Sequence, residues 1–475
     1  MTLGPVRPTR DDDVLAGLSD VVGGPAGEHD AGHRWWTPLR VLLVVTAACF
    51  ALGMVQKAPC YHVSWENGED RYSEMCYSDL PYLYTGRGFA ELNWPYSDDE
   101  QVRQRYETME YPVGISYFAW LDAWATHWLS GSPDISGRAQ IPSSDMWGAP
   151  GVVPEVRLYV VTTALGLAIC ALLATVFLSG VNRRRPWDAL AFAASPALLL
   201  TGLVNWDLLA VVCVAGALSA WARGKPVWTG VWLGLGTATK LYPVFLVGAL
   251  LVICLRERRW LPLVHVVWAT AVTWQVVNLP AMWTGFSQWK VFWTFNQDRG
   301  ADLGSFWLAA HEATDHVFLS TTINHWSVGF FAVWCLAVAV LGYTAKVTPR
   351  FAQLGFLIVT GFLLVNKVYS PQYVLWLLPL AVLARPRWRD LLIWQAGEIL
   401  YFAAVWWYLG TFLASGSNAN VSPSYWIAIA LRIAAELYLV VMVVRDIRDP
   451  WSDPVDRYED DYPSETTTRS KVVAV

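Results

Sequence analysis

Hydrophobic and polar residues segregate along this chain on a scale much longer than a helical turn. Apolar runs of roughly 17 to 25 residues, the length an α-helix needs to cross a bilayer, recur from end to end. They predict membrane spans over about 38–55, 156–181, 187–204, 207–222, 261–280, 327–345, 350–366, 372–385, 389–411 and 424–444. Two shorter runs, 227–239 and 241–255, meet at Lys240 and predict a hairpin of two tilted or broken helices. The total is twelve spans, and the fold class is an all-α polytopic membrane protein, because a helix satisfies its own backbone groups in lipid.

Charge gives the orientation. The clusters 182–186 (NRRRP), 223–226 (RGKP), 256–259 (RERR), 346–350 (KVTPR), 385–389 (RPRWR) and 445–449 (RDIRD) follow spans two, four, six, eight, ten and twelve. Short cytoplasmic loops are enriched in Lys and Arg, so all six clusters and the N-terminus fall inside. Counting 113–129 as a span would reverse this. That stretch holds Asp122, His127 and several Trp, and reads as an amphipathic helix in the outer interface. The expected organisation is a disordered cytoplasmic tail (1–37), a transmembrane domain (38–445) with a long extracytoplasmic first loop (56–155), and a second disordered cytoplasmic tail (446–475). No small-residue cleavage site follows the first span, which is therefore read as retained.

Composition agrees with a membrane protein: 55% of the 475 residues are hydrophobic and only 15% are charged. The net charge of −5 arises from acids in the tails and first loop, while the bases lie between apolar runs, which argues against a nucleic-acid partner. Five cysteines lie in apolar runs and read as small core residues. Cys60 and Cys76 lie in the polar loop, and if that loop is outside they read as a disulfide. No Cys or His spacing suggests a metal, and the acidic run 98–100 reads as a solvated face.

In this topology the polar residues near apolar runs gather on the outer side: Asp79 and Glu110 in the first loop, Asn205 and Asp207 at a turn, Lys240 at the hairpin tip. Asn296, Gln297, Arg299 and His325 follow span seven, and Lys367 precedes span ten. Ionisable groups at the membrane are costly and usually functional. A carboxylate at Asp79 suits a base that takes a proton from a hydroxyl, with Glu110 as the second acid. Lys240, Arg299, Lys367 and His325 suit a phosphate. Asn205, Asp207, Asn296 and Gln297 suit a sugar pocket, and Trp283, Trp289 and Trp293 suit stacking on sugar rings. Each has a plainer alternative. Asp79 would cap a helix, Lys240 would snorkel, Arg299 would pair with Asp298 or Asp302, His325 would sit at the interface, and Asn205 and Asp207 would cap span four. Gly234 and Gly236 read as helix-packing residues rather than a nucleotide loop.

The segments DLPYLY (79–84), EYPVG (110–114), NWDLLAV (205–211), ARGKPVWTGVWLGLGTATKLYPVFL (222–246), NQ (296–297) and NKVYSPQYVLWLLPL (366–380) carry a resemblance to a known group. The chain resembles integral-membrane glycosyltransferases of the GT-C superfamily, specifically the actinobacterial mannosyltransferase-like glycosyltransferase family 87, over most of residues 38–445. The resemblance implies an essential Asp just beyond the first span, which Asp79 matches by position. It also implies a lipid donor held by the C-terminal helices, an extracytoplasmic site and no metal; the acceptor role of Glu110 and Tyr111 is a reading of the residues themselves, Glu110 being otherwise a capping residue. The chain departs from the family pattern in having Tyr-Pro-Val where Tyr-Pro-Pro is commoner, and in the long insertions 56–78 and 91–109.

The expected function is transfer of a hexose, mannose by resemblance, from a polyprenyl-phosphate donor to a hydroxyl of an envelope glycolipid or glycan. Transfer would occur on the outer face of the bacterial plasma membrane, with inversion. The lipid-linked sugar is a substrate and no cofactor is expected. A polyprenyl-phosphate arabinofuranosyl donor is the alternative within the class, and a lipid or solute transporter the alternative outside it. A noncatalytic scaffold is a third reading.

Overall fold

The computed structural model describes residues 35–65, 70–413 and 423–455. Among them the regular elements are helices. The longer ones and those that build the site are α1 (Pro38–Gln56), α2 (Asp79–Gly86), α3 (Val113–Leu129), α4 (Val152–Ser179), α5 (Leu208–Ala222), α6 (Pro226–Thr239) and α7 (Leu246–Glu257). There follow α8 (Trp260–Thr284), α9 (Phe286–Asp298), α10 (Ser320–Thr344), α11 (Phe351–Val365), α12 (Val374–Ala384), α13 (Trp388–Leu409) and α14 (Pro423–Arg448). α1, α4, α8, α10 and α14 are long and apolar enough to cross a membrane.

Of the remaining predicted spans, 389–411 is the single 22-residue helix α13, and the others are shorter or broken. Residues 187–204 form no single helix. They divide into short helical pieces interrupted before Pro196, whose missing N–H ends the preceding turn while the Ser195 hydroxyl accepts from Leu198 N and starts the next. The break at Lys240 is present: this residue caps α6 in an extended conformation, and a turn at Tyr242–Phe245 leads into α7. α6 packs on α5 and α8, whereas α7 packs on α8, α10 and α11.

Small residues set the closest helix approaches. A Cβ on Gly234 would lie 2.7 Å from Thr270 O on α8, and one on Gly236 would lie 3.1 Å from Cys213 Cβ on α5. These glycines pack helices together. In α3 the polar group turns inward, with Asp122 buried and accepting from the Thr163 hydroxyl of α4, while Leu121, Trp124 and Trp128 are exposed.

The basic clusters meet at one end of the bundle, where Arg183, Arg259 and Arg350 line one cavity. Arg350 there pairs with Asp453 at 2.6 Å, and Arg385 with Asp390 and Asp446 at 2.9 and 2.5 Å. The segment 446–455, expected as the start of a disordered tail, is thus folded, because its acids pair with Arg350 and Arg385. The rest of that tail and nearly all of 1–37 lie outside the described residues.

Candidate functional site

A cavity of about 570 Å³ lies among α2, the Tyr111 segment, the Lys240 break, α9, the 366–373 loop and α13. Asp79, Glu110, Tyr111, Lys240, Asn296, Arg299 and Lys367, named from the sequence, all line it. These residues span almost 290 positions of sequence, so only the fold brings them together.

Asp79 is held from several sides. The helix cap that was its plainer reading belongs to Ser78, whose hydroxyl accepts from Leu80 N at 3.3 Å, so the Asp79 carboxylate is not spent on its own helix. Its backbone N–H donates to Val204 O at 2.8 Å. Asn205 Nδ2 donates to Asp79 Oδ2 at 2.6 Å and to the Tyr111 hydroxyl at 2.7 Å, and Tyr111 donates weakly to the same carboxylate oxygen at 3.4 Å. Burial raises the Asp79 pKa above the ordinary carboxylate value, while hydrogen bonds from Tyr77 and Asn205 and the Lys240 charge pull it back. The carboxyl is therefore a stronger base than a free aspartate.

Lys240 occupies an aromatic recess. Its Nζ lies 3.5 Å from Asp207 Oδ1 and 4.5 Å from the centre of the Tyr111 ring. Trp376 Nε1 donates to the same Asp207 oxygen at 2.6 Å. Tyr242, Trp376 and Tyr373 form a stack with centroid separations of 4.6 and 4.0 Å. Asn205 and Asp207, expected in a sugar pocket, are instead fully buried behind the cavity wall. They contact Asp79 and Lys240 and do not line the cavity.

Two loops on the far wall are joined. Arg299 forms a two-nitrogen pair with Asp302 through Nε at 2.8 Å and Nη2 at 2.5 Å, which is its plainer reading, and still lines the cavity. Lys367 Nζ donates to the carbonyls of Asn296 and Gln297 at 2.8 and 2.9 Å, closing the C-terminal end of α9. Asp302 N donates to Lys367 O, and Tyr369 N to Leu303 O, at 2.8 and 2.7 Å. Gln297 is exposed and does not line the cavity. His325 also stands away from it, exposed on α10 with Nδ1 2.8 Å from Thr321 O. Of the three tryptophans, Trp293 lines the cavity, Trp289 is turned to Asn278, and Trp283 is exposed.

Cys60 and Cys76 form a disulfide, with Cα atoms 5.7 Å apart, that ties the end of α1 to the strand of chain entering α2. Glu110 pairs with Arg87 at 3.0 Å, so Asp79 is the acid of the two without an arginine partner among these contacts. The acidic run 98–100 has a local use: Asp99 Oδ1 accepts from Gln101 N at 2.8 Å and starts a short helix.

Two groups escaped the sequence reading. Lys57 is buried just after α1 and donates to Tyr77 O at 2.9 Å; burial pushes its ammonium down to about 7, against the pull of Asp79. The other is a cluster within predicted spans eleven and twelve. Arg432 lies over the Tyr369 ring at 3.5 Å, pairs with Glu436 at 3.3 Å and donates to Gly304 O at 3.3 Å, while Tyr369 and Trp394 donate to Glu398. It anchors the joined loops from beneath. The signal was present as a glutamate in one apolar run and an arginine and glutamate four apart in the next.

A family model described as glycosyltransferase family 87 matches residues 149–366. No curated protein matches the chain. The resemblance read from the sequence is borne out over that stretch, which includes Asn205, Asp207, Lys240 and Arg299 and excludes Asp79 and Tyr111. The match supports a glycosyltransferase activity, and the apolar helices fit a membrane protein.

Proposed function

We propose that the protein transfers mannose from a polyprenyl-phosphate donor to a hydroxyl of a cell-envelope glycolipid or glycan, at the outer face of the bacterial plasma membrane. The observation that carries this reading is the pairing, in one aromatic-walled cavity, of a poised carboxylate with an aromatic-caged lysine. The acceptor oxygen attacks the anomeric carbon and its proton passes to Asp79. The bond from that carbon to the phosphate oxygen breaks, its electron pair leaves with the polyprenyl phosphate, and Lys240 stabilises the charge that develops there. A single displacement of this kind inverts the anomeric centre.

Tyr77, Tyr373, Trp293 and Trp406 offer ring faces to the sugar. Beside Lys367, a groove of about 160 Å³ lined by Val328, Phe331, Phe362 and Val365 runs between α10 and α11, which suits the first isoprene units of a donor. The outer orientation is supported by the basic residues gathered at the other end of the bundle. A transporter would place its polar groups near the bilayer midplane in repeated halves, and the chain has no such repeat.

The test compares donors. Purified protein is given radiolabelled mannosyl or arabinofuranosyl polyprenyl phosphate with an envelope-lipid extract, and the lipid and glycan fractions are counted. Label transferred from the mannosyl donor supports the reading, and label from the arabinofuranosyl donor alone replaces mannose with the pentose. Transfer from neither, with both donors bound, removes it.

A further inference from the structure

A second cavity, of about 700 Å³, adjoins the first and shares Glu110, Phe295 and Arg299 with it. One wall is α9 and the other is the 87–110 segment, which contains the second of the two insertions, 91–109, that set this chain apart from the family pattern. Its volume matches that of a small-molecule site. Its chemistry is balanced: Arg87, Arg103 and Arg299 face Glu107, Glu110 and Asp298. Arg87 pairs with Glu110 at 3.0 Å and approaches Glu107 at 3.8 Å, and Arg299 is taken by Asp302; Arg103 has no carboxylate among these contacts, and the lining carries as many acids as bases.

What remains is a hydrogen-bonding edge. Arg103 Nη1 donates to the Thr108 hydroxyl at 2.6 Å, and that hydroxyl donates to Gln288 Oε1 at 2.9 Å. Arg103 Nε is buried without a partner. Thr294 adds a hydroxyl, and Phe295 and Val291 add short apolar faces. Alternating donors and acceptors with an aromatic face suit a polyol ring. A bare phosphate would face Glu107, Glu110 and Asp298 here, and a lipid tail would strand the polar edge.

We propose that this chamber is the acceptor subsite and takes a neutral, hydroxyl-rich oligosaccharide, which Arg103, Thr108 and Gln288 hold while its terminal hydroxyl reaches Asp79 past Glu110. The proposal rests on the transferase reading for its direction, from donor cavity to acceptor chamber. The site itself is tested by binding alone.

For that test Thr294→Cys in the full-length protein is labelled with a membrane-impermeant maleimide, with the wild type as background. Octyl mannotrioside is the saccharide probe and decyl phosphate the anionic lipid probe. Protection by the trioside and not by decyl phosphate is the expected result. Protection by decyl phosphate alone, or by neither, overturns the proposal. In mannosyl transfer to octyl mannoside and octyl mannotrioside, Gln288→Ala and Arg103→Met should each raise KM for the trioside roughly threefold to tenfold, the worth of a hydrogen bond, with KM for the monosaccharide and the donor unchanged. Equal effects on both acceptors would contradict the subsite. Protection without any transfer would leave a saccharide site and remove the transferase reading; transfer without protection would do the reverse.

Discussion

Gly304 joins the two halves of the far wall, and its replacement by alanine gives a prediction that can be worked from the geometry. Its φ of +68° lies in the left-handed region, where a side chain costs about 1–2 kcal/mol. A Cβ at this position would lie 2.6 Å from Tyr401 Cζ and closer still to the Tyr401 hydroxyl and the Tyr369 carbonyl oxygen. Relieving that overlap costs about 1–3 kcal/mol more. Neither neighbour can easily yield, because Tyr401 donates to Tyr369 O at 2.5 Å and Gly304 N donates to the Tyr425 hydroxyl at 2.9 Å. The expected cost of Gly304→Ala is therefore about 2–5 kcal/mol. The displaced backbone carries Asp302, the partner of Arg299, and is bonded to the loop that carries Lys367. Thermal unfolding in detergent should show a lowered midpoint, and the mannosyl-transfer assay a raised donor KM. Adding Tyr401→Phe removes the nearest atom but leaves the Tyr369 carbonyl, so recovery should be partial. Gly304→Ala with wild-type stability and donor KM would refute the reasoning.

Three further outcomes follow from the same contacts. Asn205→Ala removes the bonds to Asp79 and Tyr111, and the loss of a hydrogen bond to a charged group, about 1.5–3 kcal/mol, should lower kcat on the order of 10- to 100-fold with donor KM unchanged; steady-state kinetics decides. Because the Asp79 pKa is raised, its reactive carboxylate form is lost as pH falls through a value above the usual ~3.9, so the acid limb of the kcat/KM profile should lie above that value and vanish with the residual activity of Asp79→Asn. Arg432→Ala should strand Glu436 and cost about 3–5 kcal/mol, whereas Arg432→Met with Glu436→Leu should recover most of it, as read by unfolding in detergent.

The site was legible where chemistry and position coincided. Asp79 stood out as a lone acid after an apolar run, and Lys240 as a lone base between two, and both reach the cavity. Asn205 and Asp207 were also found, but linear order cannot distinguish a residue facing a cavity from one buried behind it, and their contacts with Asp79 and Lys240 come from distant segments. His325 follows the same polar loop in sequence, yet it lies within α10, exposed, with its ring against the Thr321 carbonyl and away from the cavity. The span expected at 187–204 failed because Pro196 interrupts an otherwise continuous apolar run. Glu398, Arg432 and Glu436 were masked by the hydrophobicity around them, since a window average conceals single charges that are paired only in three dimensions.

The most direct test of the account is sugar transfer by purified wild-type protein beside Asp79→Asn, with radiolabelled mannosyl polyprenyl phosphate, an envelope-lipid extract and donor binding measured on both. Labelled product is expected from the wild type, with product lost in Asp79→Asn and donor binding retained in the variant because Lys240 and its aromatic cage are untouched. Equal product from the two proteins would contradict the role of Asp79 as the base.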